Sequence, residues 1–397
     1  MNDIAYKRYT TEHPELGTGP VSTLPSRSSE FFEAERAAIF ERSWLNVGRI
    51  EELPEPGSYL VKDLKVCSTA VLLVRGKDGK IRGFHNVCKH RGNSLAWENH
   101  GQCRGFFTCN FHGWVYDDQG KLRDVPDAEN FYSLDRSALG LSEIATDNWQ
   151  GFIFVCIKPS ETLQEYLGEV GERLAPYPFE KFATRFTYEA NERVNWKVLL
   201  DAQQEGYHVP FLHKRTAALS FPKDMTQYRS KSFHTFGSHR LLASGPSANF
   251  EATPAGSIAA KLGATSMGAF TGAFGETEGE AKAMEGVFDF WVVFPNFVIG
   301  LLYGTYFTYN IWPLAVDQSI WEVRMYYPEA QNAGQLFSNE YGKVAFRDTL
   351  LEDASTHERV QAGVMSGVIQ EFQLQDEEIM ARHGHNVVRD IVAAHSE

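Results

Sequence analysis

The sequence lacks the features of several large classes of protein. It has no run of Lys and Arg side chains and a formal net charge of −13, so it is expected to repel nucleic acid, whose phosphates bind clustered cations. Its N-terminus has no apolar core of the kind found in signal peptides. The most apolar stretch, residues 287–312, is interrupted by Asp289, Pro295 and Asn296. These absences predict a cytoplasmic protein that neither spans a membrane nor binds nucleic acid.

Cysteine is also scarce, and no internal repeat or low-complexity tract appears. An odd, small number of cysteines in a chain expected to be cytoplasmic argues against a disulfide framework and favours metal binding or buried thiols. Aromatic residues, in contrast, reach 13% and include 28 Phe, enough to fill a core and to line an apolar pocket. The five cysteines are Cys67, Cys88, Cys103, Cys109 and Cys156.

Hydrophobic periodicity changes several times along the 397 residues. Residues 30–46 have helical spacing, whereas residues 40–158 contain short β-prone runs separated by turn residues. Residues 214–285 have weak periodicity and predict long loops. Apolar, β-prone strands are expected between residues 288 and 327, and helices over residues 336–381. The pattern predicts an α+β chain, with a small β domain followed by an antiparallel sheet packed by long helices.

Four metal-binding side chains form the first constellation. Cys88 and His90 are followed, after 18 intervening residues, by Cys109 and His112, which gives C-x-H and then C-x-x-H. Such a set can bind zinc or a Rieske-type [2Fe–2S] cluster. Zinc fingers usually keep Cys with Cys and His with His, whereas here each loop carries one of each. The mixed order favours a cluster with two chemically different irons, and zinc is the alternative.

A second constellation lies farther along the chain. Asp201, Glu205 and His208 are spaced four and three residues apart, which places them on one face of a helix. His213 follows five residues after His208, about 140° away on a straight helix. Pro210 lies between the two histidines and is expected to bend or end the helix, which would bring His213 back towards His208.

Together these motifs resemble those of the Rieske non-haem iron aromatic ring-hydroxylating oxygenases, in their terminal oxygenase α subunits. The segments His90-Arg-Gly and His112-Gly-Trp resemble the two Rieske loops, and the later segment resembles the family motif E/D-x-x-H-x-x-x-x-H. The resemblance implies a Rieske β domain over residues 41–160 and a helix-grip-like catalytic domain over residues 161–397. Residues 1–40 are then an N-terminal segment that packs on the catalytic domain.

The resemblance also implies two cofactors, a Rieske [2Fe–2S] cluster and a mononuclear Fe(II). His208 and His213 would supply two ligands of a 2-His-1-carboxylate triad, which leaves positions open for O2. The third ligand is expected downstream, among the acids that follow Thr349. Asp353 is the first choice, and Glu352 and Glu358 are the alternatives.

Family resemblance assigns a bridging role to the acid just before the first histidine. That acid is Glu205, which would link His208 to His112 of the partner subunit. Asp201 either helps to orient a ligand histidine or is an ordinary acid near the start of the helix. Three other histidines are expected at the surface, namely His357, His383 and His385.

No flavin or nicotinamide motif is visible, so a separate reductase, with or without a ferredoxin, would supply electrons. The resemblance implies a homotrimer and leaves open a β subunit. Because little charge lies near the second motif, we expect an apolar, aromatic substrate, as in aromatic hydrocarbon catabolism, that O2 converts by cis-dihydroxylation or monohydroxylation. The alternative is N- or O-dealkylation of an aromatic or quaternary amine compound. Phe211, Leu212 and the strands over residues 288–309 are the candidate pocket residues.

Overall fold

The chain divides into two units, and one of them combines the N-terminal and C-terminal parts of the chain. Met1–Ile39 and Leu167–Glu397 make up this unit, and Phe40–Tyr166 make up the other. In the N-terminal segment, helices α1 (Arg8–Glu12) and α2 (Ser29–Glu35) flank strand β1 (Val21–Ser22). The computed structural model describes residues 8–216, 230–245, 253–263 and 278–396.

The unit Phe40–Tyr166 is built from short antiparallel strands. Seven of them form one sheet in the order β2-β11-β10-β5-β4-β3-β6, and a three-stranded sheet has the order β7-β8-β9. Strands β4 and β11 have β-branched and aromatic residues buried in their centres. The strands are β2 (Leu45–Arg49), β3 (Ser58–Leu64), β4 (Thr69–Arg75), β5 (Ile81–His85), β6 (His100–Gln102), β7 (Phe106–Thr108), β8 (Val115–Asp117), β9 (Leu122–Asp124), β10 (Glu143–Trp149) and β11 (Phe152–Cys156).

The other unit has a seven-stranded antiparallel sheet in the order β12-β18-β17-β16-β15-β14-β13. Edge strand β12 alternates between half-buried and exposed residues, whereas strands β15 and β16 in the middle are almost entirely buried. Its strands are β12 (Thr184–Glu192), β13 (Ser230–Phe236), β14 (His239–Ser244), β15 (Phe288–Val293), β16 (Phe297–Leu302), β17 (Thr305–Ala315) and β18 (Gln318–Tyr327), and β19 (Glu371–Phe372) pairs with β1.

Helices surround this sheet, and side-chain caps fix several of their starts. Asn195 Oδ1 accepts a hydrogen bond of 3.0 Å from the Lys197 amide at the start of α4, and Asn332 Oδ1 does the same for Gln335 at the start of α8. The helices are α3 (Leu163–Leu174), α4 (Trp196–Gln203), α5 (Val209–Leu212), α6 (Pro254–Leu262), α7 (Glu278–Ala283), α8 (Ala333–Met365) and α9 (Ile379–Ser396).

The predicted α+β fold class is confirmed: a small β unit precedes a mixed unit with an antiparallel sheet and long helices. Several boundaries differ. The helix expected over 30–46 ends in a π-helical turn at Phe40, and residues 45–49 are strand. Within 214–285, the described residues form β13, β14, α6 and α7 rather than only loops. Residues 217–229, 246–252 and 264–277 of that prediction lie outside the described residues.

Membrane association through a spanning helix finds no support in the described ranges. None of the helices there is both long enough and apolar enough to cross a bilayer.

Candidate metal centres and substrate cavity

The loop from Cys88 to Asn93 follows strand β5 and is closed by its own backbone. The Cys88 amide donates to the Asn93 carbonyl at 2.8 Å, and the Gly92 amide donates to the Cys88 carbonyl at 2.9 Å. Gly92 has a φ of 79°, a left-handed conformation that glycine adopts without a Cβ clash. The turn brings the side chains of Cys88 and His90 to one end of the loop.

The loop between β7 and β8 repeats this pattern. The Cys109 amide donates to the Trp114 carbonyl at 2.8 Å, and the Gly113 amide donates to the Cys109 carbonyl at 2.9 Å. Gly113 has a φ of 72°. The two loops are therefore equivalent in their backbone, although one carries His two residues after its Cys and the other carries His112 three residues after Cys109.

The four side chains of the first constellation lie together at the tips of these loops. The Cys88 and Cys109 thiols are buried, with Cys88 Sγ 3.4 Å from the Tyr116 hydroxyl and Cys109 Sγ accepting from Asn93 Nδ2 at 3.7 Å. The rings of His90 and His112 are 4.6 Å apart between centroids, and His90 stacks on Trp114 at 5.0 Å. The thiols thus lie inside the domain, while the imidazoles lie towards its surface.

This arrangement fits a two-iron cluster better than a single zinc ion. His90 Nδ1 is buried and has no hydrogen-bond partner in the described part of the chain, as expected of a ligand atom. The four ligand atoms of a tetrahedral zinc lie about 3–4 Å apart. Among the described residues, however, no three members of this quartet bring their ligand atoms within 4.8 Å of one another. A cluster holds its two ligand pairs farther apart because each pair binds a different iron.

The two histidines of the second constellation flank a single helical turn. Helix α4 ends at Gln203, so both histidines lie beyond it, whereas the sequence predicted helix as far as residue 207 and a bend or end at Pro210. His208 is the N-cap of α5, His213 is its C-cap, and Pro210 lies in its first turn. Proline suits the first turn of a helix because the amide that it lacks would have no intrahelical partner there. One short turn therefore points both imidazoles to the same place.

Asp353 from helix α8 completes a group of three ligand atoms. His208 Nε2 lies 3.1 Å from His213 Nε2 and 3.5 Å from Asp353 Oδ1, and His213 Nε2 lies 2.9 Å from the same oxygen. Adjacent ligands of an octahedral ion with bonds of about 2.1 Å are about 3 Å apart. Asp353 Oδ1 is buried and, apart from these contacts with the two imidazoles, has no hydrogen-bond partner in the described structure. The donor set and its spacing fit a mononuclear iron.

Two further carboxylates orient the imidazoles from behind. Glu205 binds His208 Nδ1 and also accepts from the His208 amide at 3.2 Å. Glu352 accepts from His213 Nδ1 at 2.9 Å and from the Thr216 hydroxyl at 2.6 Å. Each carboxylate fixes the tautomer in which Nε2 is free to bind a metal.

Electrostatics also favour a cation at this place. Burial lowers the pKa of His213, but the carboxylates of Asp353 and Glu352 outweigh burial and raise that pKa overall. Two negative charges beside one imidazole therefore create a site that attracts a proton or a metal ion.

The remaining acids of the sequence analysis lie elsewhere. Asp201 accepts from His385 Nε2 at 2.7 Å and from Gln204 at 3.0 Å. Glu358 is bound to Arg193, at 3.0 Å from both its amide and its guanidinium. The structure thus brings Asp353 to the histidine pair, while Glu352 lies behind His213.

The three histidines expected at the surface are buried, so that expectation was wrong. His357 Nδ1 lies 2.7 Å from Glu192 Oε2, and His383 Nε2 lies 3.1 Å from the Gly237 carbonyl. His385 contacts Asp201. Each partner is distant in sequence, and no local pattern in the chain indicated the pairing.

The triad lies at the wall of a cavity of about 340 Å³, within the usual size range of sites for small organic molecules. The expectation that strands over 288–309 supply its walls is confirmed. Phe211 instead is 61% exposed and, like Leu212, is not part of the lining. Phe346 on α8 was missed, because only the fold places that helix beside the sheet. The aromatic lining residues are Phe288, Phe290, Phe307, Tyr309, Tyr341 and Phe346.

The chain is similar to several curated oxygenase subunits. It is 33% identical over 186 residues to the carnitine monooxygenase oxygenase subunit of Acinetobacter pittii, which covers 46% of this chain and 49% of that protein. It is 32% identical over 192 residues to the large oxygenase component of the naphthalene 1,2-dioxygenase system of Pseudomonas aeruginosa, covering 46% and 42%. The aligned part therefore spans half or less of these relatives.

Comparison of folds extends over the whole chain. The crystal structure of naphthalene 1,2-dioxygenase from Rhodococcus sp. bound to indole superimposes with a TM-score of 0.75 and covers 100% of both chains at 21% identity. At that identity the likeness concerns the fold alone.

Two family models match the chain. A Rieske [2Fe-2S] domain covers residues 43–143, and the catalytic domain of ring hydroxylating alpha subunits covers residues 179–394. These matches confirm the two predicted cofactors, a Rieske cluster and a mononuclear iron, and they decide against the zinc alternative. The curated relatives are oxygenase subunits, the enzyme class that the sequence analysis predicts. The chain belongs to the ring hydroxylating alpha subunit family and carries the Rieske domain of that family at its N-terminal side.

Proposed function

We propose that the chain is a terminal oxygenase that uses O2 to oxygenate a small organic molecule. The observation that carries the proposal is the triad of His208, His213 and Asp353 at the wall of an aromatic cavity, in a chain that also has a Rieske domain. A facial triad leaves the remaining positions of its iron open. When bound, the two metal centres supply the redox chemistry, with single-electron transfer by the cluster and O2 activation at the mononuclear iron.

The residues of this chain hold and orient the two centres. Cys88, His90, Cys109 and His112 would bind the cluster, with the thiolates on its buried side. In the other unit, the carboxylate behind each ligand histidine keeps a proton on Nδ1 and directs Nε2 into the site. Glu205 is proposed to accept a second hydrogen bond, from His112 of the partner subunit, in a homotrimer.

Electrons would come from a ferredoxin, a flavin reductase or both. Substrate would bind in the cavity, with the reacting carbon held beside the triad by the aromatic rings. Phe307 lies 4.7 Å from Phe346 and 4.9 Å from Tyr309 between ring centroids, so these three rings form a continuous wall. Such a wall excludes water and binds flat, apolar molecules.

Two substrate classes suit this cavity. An apolar aromatic molecule would stack on the rings and be hydroxylated or cis-dihydroxylated, as expected from the sequence. A quaternary ammonium compound would bind the same rings through cation–π attraction and lose an alkyl group after hydroxylation. The second class is supported by similarity to a carnitine monooxygenase subunit and a glycine betaine monooxygenase subunit.

The proposal is tested by product analysis with ¹⁸O2. The holoenzyme is supplied with reductase, ferredoxin and NADH, and with a panel of bicyclic arenes and trimethylammonium carboxylates. Labelled diols or phenols would identify the first class, and O2-dependent release of an amine together with an aldehyde, whose oxygen exchanges with water, would identify the second. His208→Ala is the control, since it should keep the cluster absorbance and form no product. Absence of labelled diols and phenols, together with absence of O2-dependent amine release, would refute oxygenase activity on both classes.

A further inference from the structure

Helix α4 has one face towards the substrate cavity and a second, polar face towards the protein interior. Ala202 and Gln203 line the cavity. On the other side, Lys197, Asp201 and Gln204 follow each other at intervals of four and three residues, the spacing of one helix face. We refer to these three residues and their partners Glu35, Arg240 and His385 as the α4 polar interface.

The partners come from three distant segments of the chain. Glu35 of α2 lies 2.5 Å from Lys197 Nζ, and His385 Nε2 of α9 lies 2.7 Å from Asp201 Oδ2.

Gln204 connects Asp201 to Arg240. Its Nε2 donates to Asp201 Oδ1 at 3.0 Å, and its Oε1 accepts from Arg240 Nε at 2.9 Å. A continuous chain of hydrogen bonds therefore runs from His385 through Asp201 and Gln204 to Arg240 on strand β14.

Burial makes this arrangement costly. Arg240 and Gln204 are each 1% exposed, and His385 is 7% exposed. The Arg240 guanidinium packs against the backbone of α9, because a Cβ at Gly384 would lie only 2.9 Å from Arg240 Nη2. Buried charges add little stability compared with apolar residues of similar volume. Their hydrogen bonds, however, have fixed directions and so define one register of a helix against its neighbours.

The register of α4 determines where Glu205 lies. Gln204, a member of this chain of hydrogen bonds, directly precedes Glu205, and Glu205 binds both the Nδ1 and the amide of His208. A small rotation or shift of α4 would move the Glu205 carboxylate away from the imidazole. A purely apolar interface would resist such a shift less, since apolar contacts have no preferred direction.

We propose that Asp201, Gln204, Arg240 and His385 are positioning residues that hold Glu205 in place for electron transfer to the mononuclear iron. The inference rests on the proposed function, in which Glu205 bridges the two centres. Through His385, the C-terminal helix α9 would then affect electron transfer at Glu205, which follows α4.

The test compares two buried histidines of the same helix. His385→Phe keeps the ring volume but leaves Asp201 without its α9 partner. His383→Phe is the matched control, because His383 is also buried but its hydrogen bond among the described residues goes to the Gly237 carbonyl and not to a residue of the α4 polar interface. Cluster and iron content, melting temperature and the single-turnover rate of cluster reoxidation by O2 with substrate are measured in both holoenzymes.

We expect both variants to melt at a lower temperature and to keep both metal centres. Only His385→Phe should slow cluster reoxidation, by roughly tenfold, the order of effect expected from a misplacement of less than 1 Å. Asp201→Asn keeps an acceptor for His385 and should restore most of the rate that Asp201→Ala loses. Gln204→Met provides a second route to the same loss if His385→Phe does not fold.

Equal reoxidation rates in His385→Phe, Gln204→Met and His383→Phe would overturn the inference and leave the α4 polar interface a structural feature. Glu205→Gln, measured alongside, separates this failure from failure of the proposed function. If Glu205→Gln is slow while the interface variants are fast, only the positioning role is rejected. If Glu205→Gln is itself as fast as wild type, the bridging role of Glu205 is rejected.

Discussion

At the scale of single residues, Glu205 combines two properties that suit an electron-transfer bridge. Its side chain is only 10% exposed, and it binds both the amide and the ring of His208. Glu205→Gln keeps the shape but provides a weaker acceptor for an imidazole N–H. We expect this variant to retain both metal centres and to reoxidise its cluster about 10–100-fold more slowly, as judged from changes of this kind around metal ligands. Rapid mixing of the reduced enzyme with O2 and substrate measures the rate.

Wild-type reoxidation in a fully metallated Glu205→Gln enzyme would show that electrons take another route. Glu358→Gln is the control for loss of an acidic charge, since Glu358 is bound to Arg193 and is not part of the cavity lining.

Adjacent acids on α8 allow a sharp test of the third iron ligand. Asp353 Oδ1 lies 2.9 Å from His213 Nε2, on the side of the triad, whereas Glu352 binds Nδ1 on the opposite side of the same ring. We expect Asp353→Asn to lose most of the mononuclear iron. Glu352→Gln should bind iron more weakly by about 10–100-fold, because it only orients a ligand. Iron analysis and chelator titration of cluster-containing protein distinguish the two, and iron retention in Asp353→Asn would reverse the assignment.

The residues of the site differ in how far the sequence alone predicts them. Cys88, His90, Cys109 and His112 lie on two short loops, so their spacing in the chain nearly fixes their spacing in space. Asp353, the acid that completes the triad of the mononuclear iron site, lies 140 residues beyond His213. Only family resemblance, not local pattern, singled out Asp353, because the packing of α8 determines which of its acids reaches the histidines.

At the scale of elements, the boundaries of α4 were the least predictable feature of the site. Residues 196–207 have helical spacing, but the helix ends at Gln203 because Glu205 turns back to accept from the amides of Tyr207 and His208. A side chain that competes for backbone amides favours the end of a helix, and Gly206 follows Glu205 directly. Strands over 288–327, in contrast, were predictable, since their apolar and aromatic runs are long and bounded by turns.

The backbone of the first Rieske loop, and not only its ligands, can be tested by mutation. Gly92 and Gly79 have φ values of 79° and 78°, and a Cβ at either position would meet no atom within 4 Å. Alanine at each should therefore cost the same backbone strain, about 1–2 kcal/mol. Only Gly92 belongs to a loop with a cluster ligand at its start, as its amide binds the Cys88 carbonyl.

We expect Gly92→Ala and Gly79→Ala to lower the melting temperature equally. Gly92→Ala should in addition reduce the fraction of subunits that contain cluster, measured as iron and acid-labile sulfide per chain and by visible absorbance. Equal cluster content in the two variants would mean that the loop tolerates strain without loss of its ligand geometry.

At the scale of the whole molecule, the resemblance implies a homotrimer in which each cluster serves the iron of a neighbour. Such a head-to-tail ring is a closed heterologous assembly. Complementation can test it, because one variant can lack the cluster and another the mononuclear iron. Cys88→Ser should abolish the cluster and keep the triad, whereas His208→Ala should do the reverse. Neither variant alone should form product.

Mixed trimers of the two variants should regain activity. Each mixed trimer of a head-to-tail ring contains one iron-competent subunit that receives a cluster-bearing neighbour, so about a third of all sites in the isolated mixed trimers, and about two thirds of their mononuclear irons, should turn over. Co-expression with two different affinity tags isolates the mixed species, and product formation per mononuclear iron is compared with wild type. Trimers of the double variant Cys88→Ser/His208→Ala mixed with either single variant cannot form such a pair and serve as the control. An inactive mixed trimer with both centres present would contradict transfer between subunits, because each iron would then depend on the cluster of its own chain.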